Sequence, residues 1–218
     1  MLKTLQNAFR VKEVRQKLLF TFAMLVVIRI GSQLPIPGVK TDFFAELFSG
    51  QSNDAFGFFN TITGGSFTNL SVFALSITPY ITSSIIMQLL TIAIPKLEEM
   101  QRDGEEGRKK IQEYTRYLTV GLALMQSAAM AIGFGGQGLL LEFTSVIVTI
   151  AAMTAGSAML MWIGERITEH GVGNGISIVL LFNILSTIPS DMISLYERFV
   201  QGRPIGAAVV SVVIIVAI

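Results

Sequence analysis

The chain has 218 residues, of which 51% are hydrophobic and 14% are charged, and its mean hydropathy is +0.62. Soluble domains carry about 25% charged residues, so this composition, together with long apolar runs, predicts an integral membrane protein. The absence of cysteine and the single histidine, His170, exclude disulfides, thiolate metal sites and multi-histidine metal sites.

Apolar segments recur along the whole sequence, and a membrane-spanning helix needs roughly 20 such residues. The predicted spans cover residues 18–34, 70–94, 117–134, 143–163 and 176–193. A sixth apolar segment, 205–218, is still continuing where the sequence stops. We therefore expect an all-α, polytopic transmembrane bundle. The interrupted sixth segment indicates a piece of a longer protein, one part of a split protein, or a half-size protein that pairs with itself in inverted orientation.

Basic residues lie mainly on one side of these spans. The tail 1–17 has five, the loop 95–116 has six and the turn 164–175 has one, whereas the opposite side has three: Lys40, Arg198 and Arg203. Because Lys and Arg accumulate in cytoplasmic loops, this bias predicts a cytoplasmic N-terminus and argues against inverted pairing.

The connection 35–69 is too long and too polar for a tight turn. It contains a Pro-Ile-Pro-Gly sequence at 35–38, the pair Gly64-Gly65, and several phenylalanines between them. Two structures are consistent with it: a re-entrant segment that folds back against the helices, and an external loop on the membrane surface. Irregular backbone persists at membrane depth only inside protein or beside a water-filled cavity, so the first alternative indicates a pore or a binding site.

Arg29 lies within the first predicted span, where a charge costs about 2.5–3.5 kcal/mol at the centre of a helix. Anchoring of the following loop is favoured over a direct transport role. The glycine-rich stretch 171–175 is interpreted as a helix-to-helix turn, because no strand precedes it and no Lys-Ser/Thr follows, as a phosphate site requires. His170 beside it is interpreted as a surface hydrogen-bonding group.

No Walker A pattern occurs, and no nucleophile, base and metal set supports an enzyme, so we predict a non-enzymatic protein without cofactors. In the second span, Pro79 predicts a kink or a packing notch, and the neighbouring hydroxyls of Thr82, Ser83 and Ser84 predict close helix contacts.

Four stretches resemble the SecY family of protein-translocation channels, in the same order along the chain. They are residues 29–38, 76–90, 105–117 and 161–177, with the sequences RIGSQLPIPG, SITPYITSSIIMQLL, EEGRKKIQEYTRY and MWIGERITEHGVGNGIS. The resemblance implies the first half, with the start of a sixth helix, of a ten-helix fold whose two halves are related by a pseudo-two-fold axis in the membrane plane.

The resemblance also implies site residues. An aliphatic pore ring would receive Ile77, Ile81, Ile176 and Leu180, in two pairs spaced i, i+4. A plug that closes the pore from outside would consist of Phe58, Phe59, Asn60, Thr61, Ile62, Thr63, Gly64, Gly65, Ser66 and Phe67. Structural or lateral-gate residues would be Arg29, Pro79, Thr82, Ser83 and Gln88. The spacing of the four ring residues is equally consistent with ordinary core positions.

The implied function is a channel subunit of the inner membrane that passes unfolded polypeptides and signal sequences across or into the bilayer. The implied partners are small membrane subunits of the SecE and SecG type, a SecA motor or a ribosome on the cytoplasmic side, and lipid, without direct nucleic-acid binding. Two alternatives remain: a non-conducting scaffold or insertase, and an inverted-repeat secondary transporter. The transporter requires ionisable groups at the midplane, which the sequence lacks outside the first span.

Overall fold

The computed structural model describes residues 11–39, 54–135 and 143–199, and within these ranges the regular structure is helical. The helices are α1 Lys12–Ser32, α2 Asp54–Ile62, α3 Thr78–Ala93, α4 Pro95–Arg102, α5 Glu105–Gly135, α6 Phe143–His170 and α7 Gly175–Phe199. The predicted all-α class is confirmed. The start of the N-terminal tail (1–10), part of the first connection (40–53) and the predicted sixth segment (205–218) lie outside the described residues.

Helix α3 begins eight residues later than the second span predicted from hydropathy, because residues 70–77 form a series of turns. Leu70 and Ser76 have φ values of 41° and 53°, which no α-helix accommodates. Pro79 therefore falls in the first turn of α3, where its missing N–H breaks no intrahelical bond. The expected kink at Pro79 is absent, and the residue serves as a helix start.

The predicted loop 95–116 is largely helical. Ile94 has an extended backbone before Pro95, as prolines favour, and α3 and α4 meet there at 102°. The chain reverses at Gly104, and α5 begins at Glu105, twelve residues before the predicted third span. Glu105 and Glu106 stabilise this start, since carboxylates interact favourably with the positive end of a helix.

Helix α6 continues to His170, beyond the predicted end of the fourth span, and a short turn at 171–174 leads directly into α7. The two helices approach so closely that a Cβ atom on Gly175 would collide with the carbonyl oxygen of Gly164. Glycine at 175 is thus required by packing.

Helix α6 is central: it contacts α1, α3, α5 and α7, while α5 also packs on α3, and α2 packs on α7. Two buried clusters fill the interior. The first contains Ile36, Phe67, Leu70, Ala74, Leu75, Ala123 and Met153. The second contains Ile28, Phe73, Ile77, Leu160, Ile163, Ile167 and Val179.

Within the described ranges, the helix Ser145–His170 is long and apolar enough to cross a membrane, and α3 with α4 adds a second if the bent pair forms one broken span. The other predicted spans rest on the sequence pattern and stay predictions.

Candidate pore ring and plug segment

Two helix starts, those of α3 and α7, meet against α6. Ile77, Ile81 and Ile176 all belong to the second buried cluster or pack against it. Gly164 of α6 marks the meeting point: a Cβ atom there would lie 3.2 Å from Ile176 Cγ1 and 3.5 Å from Ile77 Cδ1. Residues about 100 positions apart in the sequence thus converge at one place in the bundle.

The four predicted ring residues differ in burial. Ile77 is 1% exposed and serves as a core residue within this part of the protein. Ile81, Ile176 and Leu180 are only partly buried and retain apolar surface that these helices do not cover. Leu180 follows Ile176 by one helical turn, so both occupy one face of α7.

The ten residues predicted as a plug are all described, and they form the end of α2 and the turns that follow it. Phe58 is exposed, whereas Thr63, Gly64, Ser66 and Phe67 are buried, and Phe59, Asn60, Thr61, Ile62 and Gly65 are intermediate. The Phe59 and Phe67 rings meet edge to face at 5.3 Å. Thr63 Oγ1 accepts a hydrogen bond from the Phe67 amide at 3.3 Å. We call residues 58–67 the plug segment, for its predicted role.

The plug segment is held against α7. Gly64 has φ +69°, a conformation that glycine adopts without strain, and it lies so close to α7 that an added Cβ would be 3.2 Å from Asn183 Cα. Arg29 of α1 donates from Nη1 to the Gly64 carbonyl at 3.0 Å and to Ser186 Oγ at 3.2 Å. Arg29 thus contacts both the loop and α7.

A buried polar network lies beside this contact. Asn183 Nδ2 donates to Ser76 Oγ at 3.2 Å, and Ser157 Oγ donates to the Ser76 carbonyl at 3.5 Å. These bonds stabilise the left-handed backbone of Ser76, which directly precedes Ile77. Sequence reasoning missed Asn183. It could have been found from its spacing: Asn183 follows Leu180 by three residues and Ile176 by seven, so the three residues share one helix face.

Of the predicted gate residues in α3, Ser83 makes the interhelical contact: its hydroxyl pairs with Thr119 of α5 at 2.5 Å. Thr82 bonds back to the Thr78 carbonyl within the helix, and Gln88 is exposed. Ile85, Leu89 and Ile92 form an exposed apolar stripe at i, i+4 and i+7, with Ile92 80% exposed.

A charged pair joins α5 and α6 at Glu165, the residue after Gly164. Arg116 Nε donates to Glu165 Oε1 at 2.8 Å, and Gln112 Nε2 donates to the same oxygen at 3.3 Å. The Glu165 side chain is 9% exposed and that of Arg116 is 42% exposed. The hydrogen bond that Arg116 donates to Glu165 raises the pKa of Arg116 above its ordinary value. The sequence placed Arg116 in a loop and Glu165 in a turn; both are helical.

Sequence comparison connects the chain to known proteins. A family model described as SecY matches residues 71–218. The chain is 45% identical over 206 residues to the protein translocase subunit SecY of Halalkalibacterium halodurans, covering 92% of this chain and 47% of that relative. It is 44% identical over 209 residues to the SecY of Bacillus subtilis, covering 93% and 48%. The chain thus spans about half the length of the curated relatives it matches.

Two solved structures are similar in fold. The first is Sec61 in the canine ribosome-channel complex from the endoplasmic reticulum, with a TM-score of 0.55, 21% identity, and coverage of 87% of this chain and 39% of that one. The second is described as the structure of a protein conducting channel, with the same TM-score and identity and coverage of 87% and 38%. At this identity the likeness shows the fold alone. It confirms the predicted polytopic helical membrane bundle.

Proposed function

The chain belongs to the SecY family, and from this we propose that it supplies the N-terminal half of a protein-conducting channel for secretion and membrane insertion of unfolded polypeptides. In this proposal Ile81, Ile176 and Leu180 line the constriction, Ile77 supports it from the core, and the plug segment closes it from outside. A second half completes the pore.

One observation carries this proposal: the plug segment packs on the same α7 helix that carries two of the ring residues. Gly64 abuts Asn183, which is three residues after Leu180 and seven after Ile176, and these spacings share one face of a helix. A segment on that face is one turn from the aliphatic side chains that it has to seal. Hydrophobic constrictions exclude water and ions, and a collar of aliphatic groups selects no particular passing side chain.

The exposed stripe on α3 supports the gate assignment. Ile85, Leu89 and Ile92 present apolar surface on a helix whose other side is fixed to α5 through Ser83 and Thr119. We assign this stripe to one wall of a lateral gate, where apolar signal sequences and membrane segments pass towards lipid.

The chain is a membrane protein, as its family indicates. We further propose that it resides in the inner membrane with its N-terminus in the cytoplasm. The charge bias of twelve basic residues against three supports this orientation. The exposed hairpin of α4 and α5 then faces the cytoplasm and offers a surface to a SecA motor or a ribosome. Small subunits of the SecE and SecG type are further proposed partners, and no catalytic step or cofactor is assigned to this chain.

The decisive experiment measures ion conductance in planar bilayers, with the chain assembled with a complementary second half from a SecY-family relative. Ile81→Asn combined with Ile176→Asn places two amides at the constriction and is expected to raise the leak at least tenfold, because polar groups let water wet a hydrophobic barrier.

Leu185→Asn combined with Ile193→Asn is the matched control, since both side chains lie exposed on α7, at 53% and 59%, and neither belongs to the ring. The control is expected to keep wild-type conductance. Assembled ring variants that also conduct like wild type would refute the ring and favour a non-conducting scaffold.

A further inference from the structure

The guanidinium of Arg29 joins three separate parts of the chain. It extends from α1, donates to the carbonyl oxygen of Gly64 in the plug segment at 3.0 Å, and donates to Ser186 Oγ of α7 at 3.2 Å. Both bonds come from Nη1, which carries two hydrogens and so serves both acceptors at once. One nitrogen therefore joins the plug segment to the helix against which it rests.

Asn183 positions both acceptors of Arg29, the Gly64 carbonyl and Ser186 Oγ. Ser186 Oγ donates to the Asn183 carbonyl at 2.7 Å, which leaves its lone pairs available to Arg29. The positive φ of Gly64 and its contact with Asn183 bring its carbonyl oxygen within reach of Arg29. Displacement of the plug segment therefore separates Arg29 from Gly64, while the bond to Ser186 continues to hold the guanidinium at α7.

Both acceptors in the described part of the chain are uncharged. A hydrogen bond from a charged donor is stronger than one between neutral groups, yet a carbonyl or hydroxyl gives no net Coulomb attraction comparable to that of a carboxylate. Water can take over such a donor without leaving a buried, unpaired anion behind. The contact is strong enough to favour one position of the plug segment and is readily exchanged when the segment moves.

We propose that Arg29 and Ser186 form a latch that sets how readily the plug segment leaves α7. Arg29 is a positioning residue: it acts through the plug segment and not by contact with the ring. The proposal rests on the proposed channel function for its consequence, which is control of opening, but the latch itself is a statement about the position of residues 58–67.

The absence of cysteine from the sequence allows a direct measurement. Ser66 is 1% exposed and Ser66→Cys is nearly isosteric, so its modification by a membrane-impermeant maleimide reports release of the plug segment. The chain is assembled with a complementary second half in proteoliposomes. Arg29→Gln is expected to raise the modification rate about tenfold, the loss expected for a hydrogen bond from a charged group.

Two milder variants grade the effect. Ser186→Ala leaves the Gly64 bond and is expected to raise the rate about threefold, in line with the loss of one shared acceptor. Arg29→Lys retains the charge as a single point donor and should restore part of the protection lost in Arg29→Gln. Arg166→Gln is the matched control, because Arg166 pairs with Glu169 on the exposed end of α6 and should leave the rate at its wild-type value.

A second cysteine separates release of the plug segment from general loosening. Ser127 is 0% exposed in α5, so Ser127→Cys reports opening of the bundle elsewhere. In Arg29→Gln, a faster modification of Ser66→Cys without a faster modification of Ser127→Cys supports the latch. Unchanged modification at Ser66→Cys in both Arg29→Gln and Ser186→Ala, or equal rises at both cysteines, overturns it.

The latch and the channel function fail separately. If Arg29→Gln and Ser186→Ala leave the modification rate of Ser66→Cys at its wild-type value while the ring variant conducts more, the latch is rejected and the channel is retained. Faster modification at Ser66→Cys together with unchanged conductance in the ring variant retains the latch as a structural contact and rejects the pore assignment.

Discussion

Two arginines connect separate elements of this bundle in different ways. Arg116 joins α5 to α6 through the carboxylate of Glu165, with Gln112 donating to the same oxygen. Arg29 joins α1 to the plug segment and α7 through a carbonyl and a hydroxyl. The first contact is a salt bridge to a nearly buried anion, and the second uses neutral acceptors.

The difference corresponds to what each region has to do. Separation of Arg116 from Glu165 would leave a carboxylate with 9% exposure without its cation, a state that is costly in a protein interior. Separation of Arg29 from Gly64 leaves a neutral carbonyl, whose loss of a partner costs far less. Charged pairing thus suits a permanent helix contact, and pairing to neutral oxygens suits a contact that opens and closes.

The largest predicted effect tests the permanent contact. Arg116→Ala leaves Glu165 buried without its cation and is expected to lower the free energy of unfolding by about 2 kcal/mol, below the 3–5 kcal/mol of fully buried pairs because Arg116 is partly exposed. Glu165→Gln leaves a cation that water can reach, and should cost about 1 kcal/mol. Thermal unfolding in detergent measures both.

The critical result is that Arg116→Ala loses more free energy of unfolding than Glu165→Gln does. A simple surface ion pair predicts small and equal losses of stability for both partners. Arg102→Ala removes such a pair, with exposed Glu98, and should shift unfolding by no more than a few tenths of a kcal/mol. Equal losses at Arg116 and Glu165 would contradict the assignment of Glu165 as a buried anion.

Hydropathy predicted the helical class and the membrane location, because a membrane-spanning helix requires an apolar side chain at nearly every position, and such long runs are visible in the sequence. It did not predict where α3 begins. Residues 70–77 are as apolar as the helix that follows, but the left-handed backbone at Leu70 and Ser76 prevents a helix there. At Ser76 this backbone is stabilised by hydrogen bonds from Asn183 and Ser157. Such contacts join residues 81 to 107 positions apart, which no local pattern reveals.

The candidate site was only partly predictable for a similar reason. The i, i+4 spacing placed Ile77 with Ile81, and Ile176 with Leu180, on common helix faces, but spacing cannot distinguish a buried member from a partly exposed one. Ile77 packs where α6 has Gly164, and a Cβ atom there would lie 3.5 Å from Ile77 Cδ1. The plug and ring assignments came from resemblance and stay predictions.

The second prediction replaces the neutral acceptor that Arg29 has on α7 with a charged one. Ser186→Asp gives Arg29 a carboxylate at α7 that holds the guanidinium more firmly where the Gly64 carbonyl accepts from it. We expect it to slow maleimide modification of Ser66→Cys about fivefold, because an ion pair adds Coulomb attraction to a hydrogen bond whose donor is already charged. Ser186→Asn has nearly the same shape without the charge and serves as the control. The gain should diminish at high salt, since Arg29 is only partly buried.

An Asp variant with unchanged or faster modification would show that Arg29 does not govern the position of the plug segment through Ser186. Ser186→Asn tests whether the larger side chain alone displaces the plug segment. If it does, Ser186→Asn and Ser186→Asp will change the modification rate equally.

The smallest predicted effect tests a neutral contact between two helices that are expected to stay together. Ser83 and Thr119 share a buried hydroxyl pair at 2.5 Å between α3 and α5, and Thr119 also donates to the Thr115 carbonyl at 2.7 Å. Because Thr119 remains satisfied without Ser83, Ser83→Ala should cost only about 0.6 kcal/mol, the average found by double-mutant cycles for interhelical hydrogen bonds in one helical membrane protein. A double-mutant cycle with Thr119→Val, followed by thermal unfolding, isolates the pair. A coupling energy as large as the loss in Arg116→Ala would show that neutral pairs also make permanent contacts in this bundle, and the distinction between the two arginines would then lose its physical basis.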